Sequence, residues 1–222
     1  MALNLYGDVT KDLAGGHGID VATQRADDLD LKAIDRCMQL VARGDIPTAW
    51  DLACGAGGQA RRMVDAGAHV LASDIVDFSS IADTNLKFSQ VDMLQLTPET
   101  LPGQAPFDVV VCQRALHYLT AAQAFKALAA IRSSLASDGR LYISVSGLHS
   151  ELGHEYVGAQ KPASERFALL SEAMQEKHSI RSPVCLYAPA EFEALLHMAG
   201  FSVVELFTSP FGNVKAVATV TP

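Results

Sequence analysis

The sequence has few of the features that mark secreted, membrane-spanning or metal-binding proteins. Its four cysteines lie far apart and form no C-x-x-C pair, which favours reduced thiols over a disulfide framework. No apolar run approaches the roughly 20 residues that span a bilayer. Charged residues occur near the N-terminus, where a signal peptide would need an apolar run. We therefore expect a cytoplasmic protein with no membrane association.

Basic residues are also scarce relative to acidic ones. The chain has 17 Lys and Arg against 25 Asp and Glu, a net charge of -8. An acidic protein repels phosphate backbones at long range, which makes a nucleic-acid partner unlikely on charge alone. With 222 residues, 49% of them hydrophobic, the chain suits one domain with a large core, with or without an insertion. Nothing in the sequence indicates an oligomeric state.

Apolar strands alternate with helical patterns along the chain, which is typical of a layered α/β fold. The three consecutive valines at 109–111 indicate a strand buried on both faces, as in a parallel sheet. Strands are predicted at 48–53, 69–73, 86–91, 107–112, 140–146, 201–207 and 214–220, the last two as a hairpin. Helices are predicted at 29–43, with Leu31, Ile34, Met38 and Val41 on its apolar face, and at 58–67, 121–135 and 189–199.

The alternation of strands and helices is interrupted at 147–188. This segment follows a predicted strand, at the edge where open α/β sheets bind ligands, and contains a predicted helix at 162–177. We interpret it as an inserted lid or substrate pocket, although a surface insertion without a role would give the same pattern. The core is then 46–146 and 189–222. Residues 1–45 form an N-terminal helical or lid segment, whose glycine-rich start could instead be a mobile tail.

The stretch Asp51–Gly58 (DLACGAGG) carries the strongest functional signal. Its glycines allow a tight strand-to-helix turn and let a ligand approach the backbone closely. A second acid, Asp74, ends the next strand. Turn amides together with a carboxylate suit the sugar hydroxyls of a nucleoside, whereas an ordinary turn and a helix cap are the simpler explanations.

Two classes of nucleoside-binding enzyme fit this motif. Gly55-x-Gly57-x-x-Ala60 satisfies the loose dinucleotide-binding pattern, and Asp74 follows at the spacing of a ribose-binding acid, as in an NAD(P)-dependent oxidoreductase. The acid that precedes the glycines, Asp51, the later Asp92 and the predicted C-terminal hairpin all weigh against that alternative.

The order of the motifs resembles that of the class I S-adenosylmethionine-dependent methyltransferases, over roughly 48–146 and 190–220. Asp51–Gly57 is similar to the first motif of that family, and 107–119 is similar to its fourth strand and the turn beyond. The resemblance implies a three-layer, Rossmann-like α/β fold. Its seven-stranded sheet would be mostly parallel, with an antiparallel last strand.

The same resemblance implies S-adenosyl-L-methionine as the cofactor and assigns roles to individual residues. Asp51 would lie near the methionine ammonium, Asp74 would bind the ribose, and Asp92 with Met93 would contact the adenine. Asp92 could equally be a solvated loop acid. The full predicted cofactor-binding set is Asp51, Ala53, Cys54, Gly55, Gly57, Asp74, Ile75, Asp92, Met93 and Gln113. Arg25 is a further candidate, for the methionine carboxylate.

The expected reaction is methyl transfer to a small-molecule acceptor. It needs alignment and exclusion of water, and it needs a base only if the nucleophile starts protonated. His117 and His149 follow the fourth and fifth strands and are the candidate bases, although His117 could simply be packed in the turn. His149, His154 and Glu155 lack a diagnostic metal spacing, so no metal is expected.

The acidic charge, the absence of a nucleic-acid-binding module and the lid-like insertion favour a small acceptor, although none of them excludes a protein or RNA acceptor. The Asn-Pro-Pro type of motif for amino-group methylation is absent after the fourth strand, where the chain reads Cys112-Gln113-Arg114-Ala115. This disfavours methylation of nucleobases or protein amides. A protein that binds S-adenosylmethionine without turnover is the remaining non-enzymatic alternative.

Overall fold

A computed structural model describes residues 11–12, 17, 19–20, 25–101 and 105–221. The predicted glycine-rich start (Tyr6, Gly7, Gly15, Gly16 and Gly18) lies outside these residues. The strands are β1 (Lys11–Asp12), β2 (Ile19–Asp20), β3 (Thr48–Leu52), β4 (His69–Asp74), β5 (Leu86–Gln90), β6 (Phe107–Gln113), β7 (Leu135–Val145), β8 (Phe201–Thr208) and β9 (Val214–Val220). The helices are α1 (Asp28–Ala42), α2 (Gly58–Asp65), α3 (Ala121–Ser134), α4 (Glu172–His178) and α5 (Pro189–Met198).

Seven of the strands form one sheet in the order β5-β4-β3-β6-β7-β9-β8. Strands β3 to β7 pair in parallel, whereas β9 is antiparallel to both β7 and β8. The predicted mostly parallel sheet with an antiparallel last strand is therefore confirmed. The strand order reverses between β3 and β6, which makes the carboxyl ends of these two strands the expected ligand-binding crevice.

Two hydrophobic cores, one on each face of the sheet, complete a three-layer arrangement. Helices α1 and α2 cover one face through residues such as Leu29, Ala33 and Met63. Helices α3 and α5 cover the other face through residues such as Leu128 and Phe192. Central strands covered on both faces explain the continuous apolar runs in their sequences.

The predicted apolar face of α1 is wrong. The helix buries Leu29, Ala33, Cys37 and Leu40, whereas Leu31 and Met38 of the predicted face are 57% and 49% exposed. Both stripes have helical spacing, so periodicity alone does not choose between them. The buried stripe carries the smaller side chains, which let α1 approach the sheet closely.

Two further predictions are corrected. The strand predicted at 140–146 begins earlier, because β7 starts at Leu135, pairs there with Phe107 and resumes regular pairing at Arg140 after an irregularity. The helix predicted at 162–177 is wrong. A short 3-10 turn and α4 are separated there by an extended segment, in which Ala168 exchanges backbone hydrogen bonds with Val184.

The segment 147–188 has its own small core and a polar anchor to α5. Leu152, Tyr156 and Val184 belong to that core. Arg166 is only 4% exposed and donates two hydrogen bonds to Glu191, at 2.5 and 2.8 Å. Its guanidinium also donates to two backbone carbonyls of the segment, and the Glu191 carboxylate accepts from the amide that opens α5. The segment is therefore fixed to the core by a buried charge pair.

Replacing Glu191 with alanine should destabilise the protein, because it leaves the buried Arg166 guanidinium without its carboxylate. An unsatisfied buried polar group costs about 1–3 kcal/mol, and in a chain of this size each kcal/mol lowers Tm by about 2–4 °C. Thermal unfolding and limited proteolysis of 147–188 measure the effect. The matched control is Glu193→Ala on the same helix, whose only ion pair with a described residue is a long one to His197 at 3.9 Å. Equal Tm losses in both variants would contradict the anchoring role.

Candidate active site

A cavity of about 1350 Å³ opens at the carboxyl ends of β3, β4 and β6. Its other walls include the start of α1, the residues that follow β5 and β6, the segment 147–188, and the 209–213 loop that joins β8 to β9. Pockets for one small ligand commonly measure about 300–1000 Å³. The cavity therefore has room for a cofactor and an acceptor together.

The glycine-rich turn forms the floor of this cavity. Gly55 and Gly57 both have positive φ angles, of 52° and 79°, and Gly57 caps α2. A Cβ at Gly57 would come within 2.5 Å of the Ile81 side chain, so a larger residue would disturb the turn. Gly57 itself lies outside the cavity lining, whereas the other nine predicted cofactor-binding residues line it.

Asp74 and Asp92 are both held by backbone amides at strand ends. Asp74 accepts from Gly55 N at 2.9 Å through Oδ2 and from Val76 N at 3.0 Å through Oδ1. Each carboxylate oxygen keeps a second lone pair, so two hydroxyls of a sugar can still be bound. Asp92 accepts from Leu94 N at 2.9 Å and so caps the short turn that presents Met93.

Asp51 is a buried acid with an unused oxygen. Its Oδ2 atom has no hydrogen-bond partner among the described residues. Burial raises the pKa of Asp51 to about 8, and the charges of Asp30 and Asp74 contribute in the same direction. Burial and the neighbouring Asp27 likewise raise the pKa of Asp30 to about 6. Ionisation is therefore unfavourable at both Asp51 and Asp30, and Asp51 has a free acceptor oxygen. This arrangement fits a positively charged ligand group, such as the methionine ammonium.

Gln113 links this acid pair to the neighbouring strand. Its Nε2 donates to Asp30 Oδ1 at 2.5 Å, and its Oε1 accepts from Ser144 Oγ at 3.1 Å. These two bonds fix which way the amide faces. Gln113 therefore acts on Asp30, one of the acids that raise the pKa of Asp51.

The sequence analysis missed Lys215, Asp27 and Asp30. Lys215 is 3% exposed and pairs with Asp27 at 2.7 Å and with Asp28. Burial alone would raise the pKa of Asp27, but the hydrogen bond and charge of Lys215 lower it overall. The available signals were a lone charge in the otherwise apolar strand 214–220 and the acid-rich stretch that opens α1. There, Asp27 and Asp30 form a reciprocal capping box.

The two candidate histidines differ in environment, although both line the cavity. His117 is buried, its Nε2 lies 3.4 Å from Ser146 Oγ, and its Nδ1 has no partner among the described residues. Burial lowers the pKa of His117 to about 3, and the charge of Arg114 adds to the effect. His149 is exposed at the cavity mouth.

Residues distant in sequence meet on the side of the cavity formed by the turn beyond β6 and the segment 147–188. Tyr118 donates through its hydroxyl to the backbone oxygen of His17 at 2.7 Å, and His17 pairs with Ile180 of the inserted segment. Glu151 pairs with Lys177 and, at 3.2 Å, with His178. The predicted candidate Arg25 also lines the cavity, whereas His154 and Glu155 do not.

Within the described part of the chain, no cluster of three or more His, Cys, Asp or Glu side chains is arranged to hold a metal ion. None of its helices is both long enough and apolar enough to cross a membrane.

Comparison with known protein families gives a match over part of the chain. Residues 49–139 match the methyltransferase domain family, and this range includes the glycine-rich turn, Asp74, Asp92 and β6. No curated protein sequence matches the chain.

Several solved structures share the fold at low sequence identity. One is 1,6-didemethyltoxoflavin-N1-methyltransferase of Burkholderia thailandensis, with bound 1,6-didemethyltoxoflavin and S-adenosylhomocysteine (19% identity, 86% of this chain and 79% of that one, TM-score 0.60). A second is an S-adenosylmethionine-dependent methyltransferase of Mesorhizobium loti (15% identity, 86% and 97%, TM-score 0.63). A third is the magnesium protoporphyrin IX methyltransferase of Synechocystis PCC 6803 with bound S-adenosylhomocysteine (20% identity, 86% and 83%, TM-score 0.55).

The domain match and the sheet topology together favour the methyltransferase class over the oxidoreductase class. The matched range contains the glycine motif, and the antiparallel β9 completes the sheet that the methyltransferase resemblance implies. The free oxygen of buried Asp51 and the remaining lone pairs on both carboxylate oxygens of Asp74 fit a cationic nucleoside such as S-adenosyl-L-methionine. The chain thus contains a segment that matches a methyltransferase domain and has the fold of the S-adenosylmethionine-dependent methyltransferases.

Proposed function

We propose that this methyltransferase modifies a small-molecule acceptor in the cytoplasm. The observation that carries the proposal is the cavity of about 1350 Å³ that includes the glycine-rich turn. A cavity that is also lined by Tyr118, Leu152, Ile180 and Phe211 suits a small ligand better than a macromolecular surface. The net charge of -8 supports the exclusion of nucleic acid, and the four buried free cysteines are in keeping with a reducing compartment.

The proposed cofactor contacts follow the strand ends. Asp51 would bind the methionine ammonium, Asp74 the ribose hydroxyls, and Asp92 with Met93 the adenine. The backbone at Ala53, Cys54, Gly55 and Ile75, together with the oriented amide of Gln113, would complete the site. When bound, S-adenosylmethionine supplies a methyl group on a positively charged sulfur. The protein's contribution is to align the acceptor with that group and to exclude water.

Of the two histidines, His149 is the better candidate for a base. A histidine with a pKa near 3, as at His117, attracts a proton weakly at neutral pH. His149 lines the cavity while remaining open to solvent, so a proton taken from an acceptor could leave. His117 instead shapes the turn against Tyr118, with ring centroids 4.3 Å apart.

The acceptor class is tested by measuring the release of S-adenosylhomocysteine from S-adenosylmethionine with three separate acceptor pools. These pools are a small-molecule library, dialysed cell protein and total RNA. We expect release above background with members of the first pool only. A heat-inactivated sample and the Asp51→Asn variant provide the baseline. Release that depends on protein or RNA alone would overturn the proposed acceptor class.

A further inference from the structure

Arg114 has an unusual backbone conformation at the tip of β6. Its φ angle is 49°, in the left-handed region that non-glycine residues rarely occupy. Two hydrogen bonds hold it there, from its backbone N to Ser144 O at 2.9 Å and to Ser144 Oγ at 3.1 Å. A conformation of this kind is disfavoured and persists only where the surroundings impose it, which happens most often at functional sites.

The Arg114 side chain is half-buried on the cavity wall. Among the described residues, no carboxylate lies within ion-pair distance of its guanidinium. Three acids that line the same cavity have lysine partners, since Asp27 and Asp28 pair with Lys215 and Glu151 pairs with Lys177. A partly desolvated guanidinium with no counter-ion is an unfavourable arrangement unless a ligand supplies the negative charge.

The position of Arg114 places that ligand on the side of the cavity formed by the turn beyond β6 and the segment 147–188, where we place the methyl acceptor. Its positive charge acts on His117, where it helps to lower the pKa, and on Tyr118, whose pKa burial otherwise raises. Both residues follow Arg114 in the turn beyond β6, away from the strand ends that carry Asp74 and Asp92. The apolar side chains of Leu119, Leu152 and Ile180 line the same cavity.

We propose that the methyl acceptor carries an oxyanionic group, a carboxylate or a phosphate, which Arg114 binds, and an apolar body that packs against the inserted segment. This inference rests on the proposed small-molecule function and narrows it to a substrate class. The planar guanidinium presents parallel N–H donors that match the two oxygens of a carboxylate or phosphate. Arg114 is then a specificity-determining residue, and the rigid turn points it before the acceptor arrives.

The test is binding to protein saturated with S-adenosylhomocysteine, measured by calorimetry. The anionic probes are 4-hydroxybenzoate, indole-3-acetate and phenyl phosphate, and the neutral ones are 4-hydroxybenzamide and indole-3-acetamide. We expect at least one anionic probe to bind at least about tenfold more tightly than the neutral probes. That preference should disappear in Arg114→Gln and return in part in Arg114→Lys, which keeps the charge but lacks the parallel N–H donors of the guanidinium. Comparing the affinities of the two carboxylate probes with that of phenyl phosphate shows which oxyanion is preferred.

The matched control is Arg43→Gln, which removes an equal charge from an exposed position at the end of α1. It should leave every affinity within about twofold, because an exposed charge beyond about 10 Å is largely screened. The proposal is overturned if no anionic probe binds, if the amides bind equally well, or if Arg114→Gln keeps the preference. It is also overturned if Arg114→Gln weakens S-adenosylhomocysteine itself, since Arg114 would then serve the cofactor. Turnover of neutral small molecules would leave the proposed function standing, whereas turnover of macromolecules alone would remove it.

Discussion

Asp51→Asn should weaken the binding of S-adenosylhomocysteine by at least about 30-fold, because truncating one partner of a buried charge pair costs about 2 kcal/mol or more. Asn keeps the shape of the side chain but removes the negative charge that a bound ammonium would meet. The Oδ2 atom of Asp51 has no other partner among the described residues, so this oxygen is free to accept from the ligand. Calorimetric titration of the purified variant measures the loss.

The same substitution should stabilise the free protein, and more so at higher pH. Burial raises the pKa of Asp51 to about 8, far above the ordinary value of 3.8. Between about pH 4 and pH 8 the folded protein therefore holds a proton that the unfolded chain has released, so the free energy of unfolding falls as pH rises. Because Asn does not titrate, the variant does not lose free energy of unfolding in this way as pH rises. The Tm advantage of Asp51→Asn over the wild type should therefore grow from pH 5 to pH 8.

The control for both effects is Asp65→Asn, which changes an exposed acid at the end of α2. It should alter neither the affinity nor the pH dependence of Tm. A Tm difference between Asp51→Asn and the wild type that stays constant with pH would contradict the raised pKa. Undiminished affinity for S-adenosylhomocysteine would remove Asp51 from the site.

The strand ends of the site were predictable from the sequence because of a general property of parallel sheets. The carboxyl ends of β3, β4 and β6 lie at the same edge, so any polar residue that directly follows such a strand is brought to one place. Asp51, Asp74 and Gln113 lie in the last two positions of their strands, which the strand patterns predicted, and the family resemblance assigned their roles. Neither step needed knowledge of contacts between distant segments.

Residues that reach the site from elsewhere were not predictable in this way. Lys215 and Asp27 are 188 positions apart and meet only because β9 inserts between β7 and β8 and α1 packs across the sheet. The apolar face of α1 was wrong for a related reason, since two stripes with the same period compete and only packing selects between them. In the inserted segment the extended pairing of Ala168 with Val184 overrode a helical pattern.

Asp74→Ala should also weaken S-adenosylhomocysteine strongly, by about 100-fold or more if two hydrogen bonds to the ribose are lost at about 1.5–3 kcal/mol each. Unlike Asp51, this carboxylate also supports the turn, because it accepts from the amides of Gly55 and Val76. A modest fall in Tm should therefore accompany the loss of affinity. The control is Asp77→Ala, an exposed acid three residues later that accepts from Ser79 in the same kind of local turn.

A second ligand separates the two acids, because 5′-methylthioadenosine has the ribose and adenine but no amino-acid group. Asp74→Ala should weaken both ligands by similar factors, since both present the same ribose. Asp51→Asn should weaken S-adenosylhomocysteine and leave 5′-methylthioadenosine within about twofold, because the missing ammonium is the only group that needs the charge. If Asp51→Asn weakened both ligands equally, the two carboxylates would be acting as one structural unit rather than binding opposite ends of the cofactor. The pairing of each acid with one end of the ligand therefore depends on this difference between the variants.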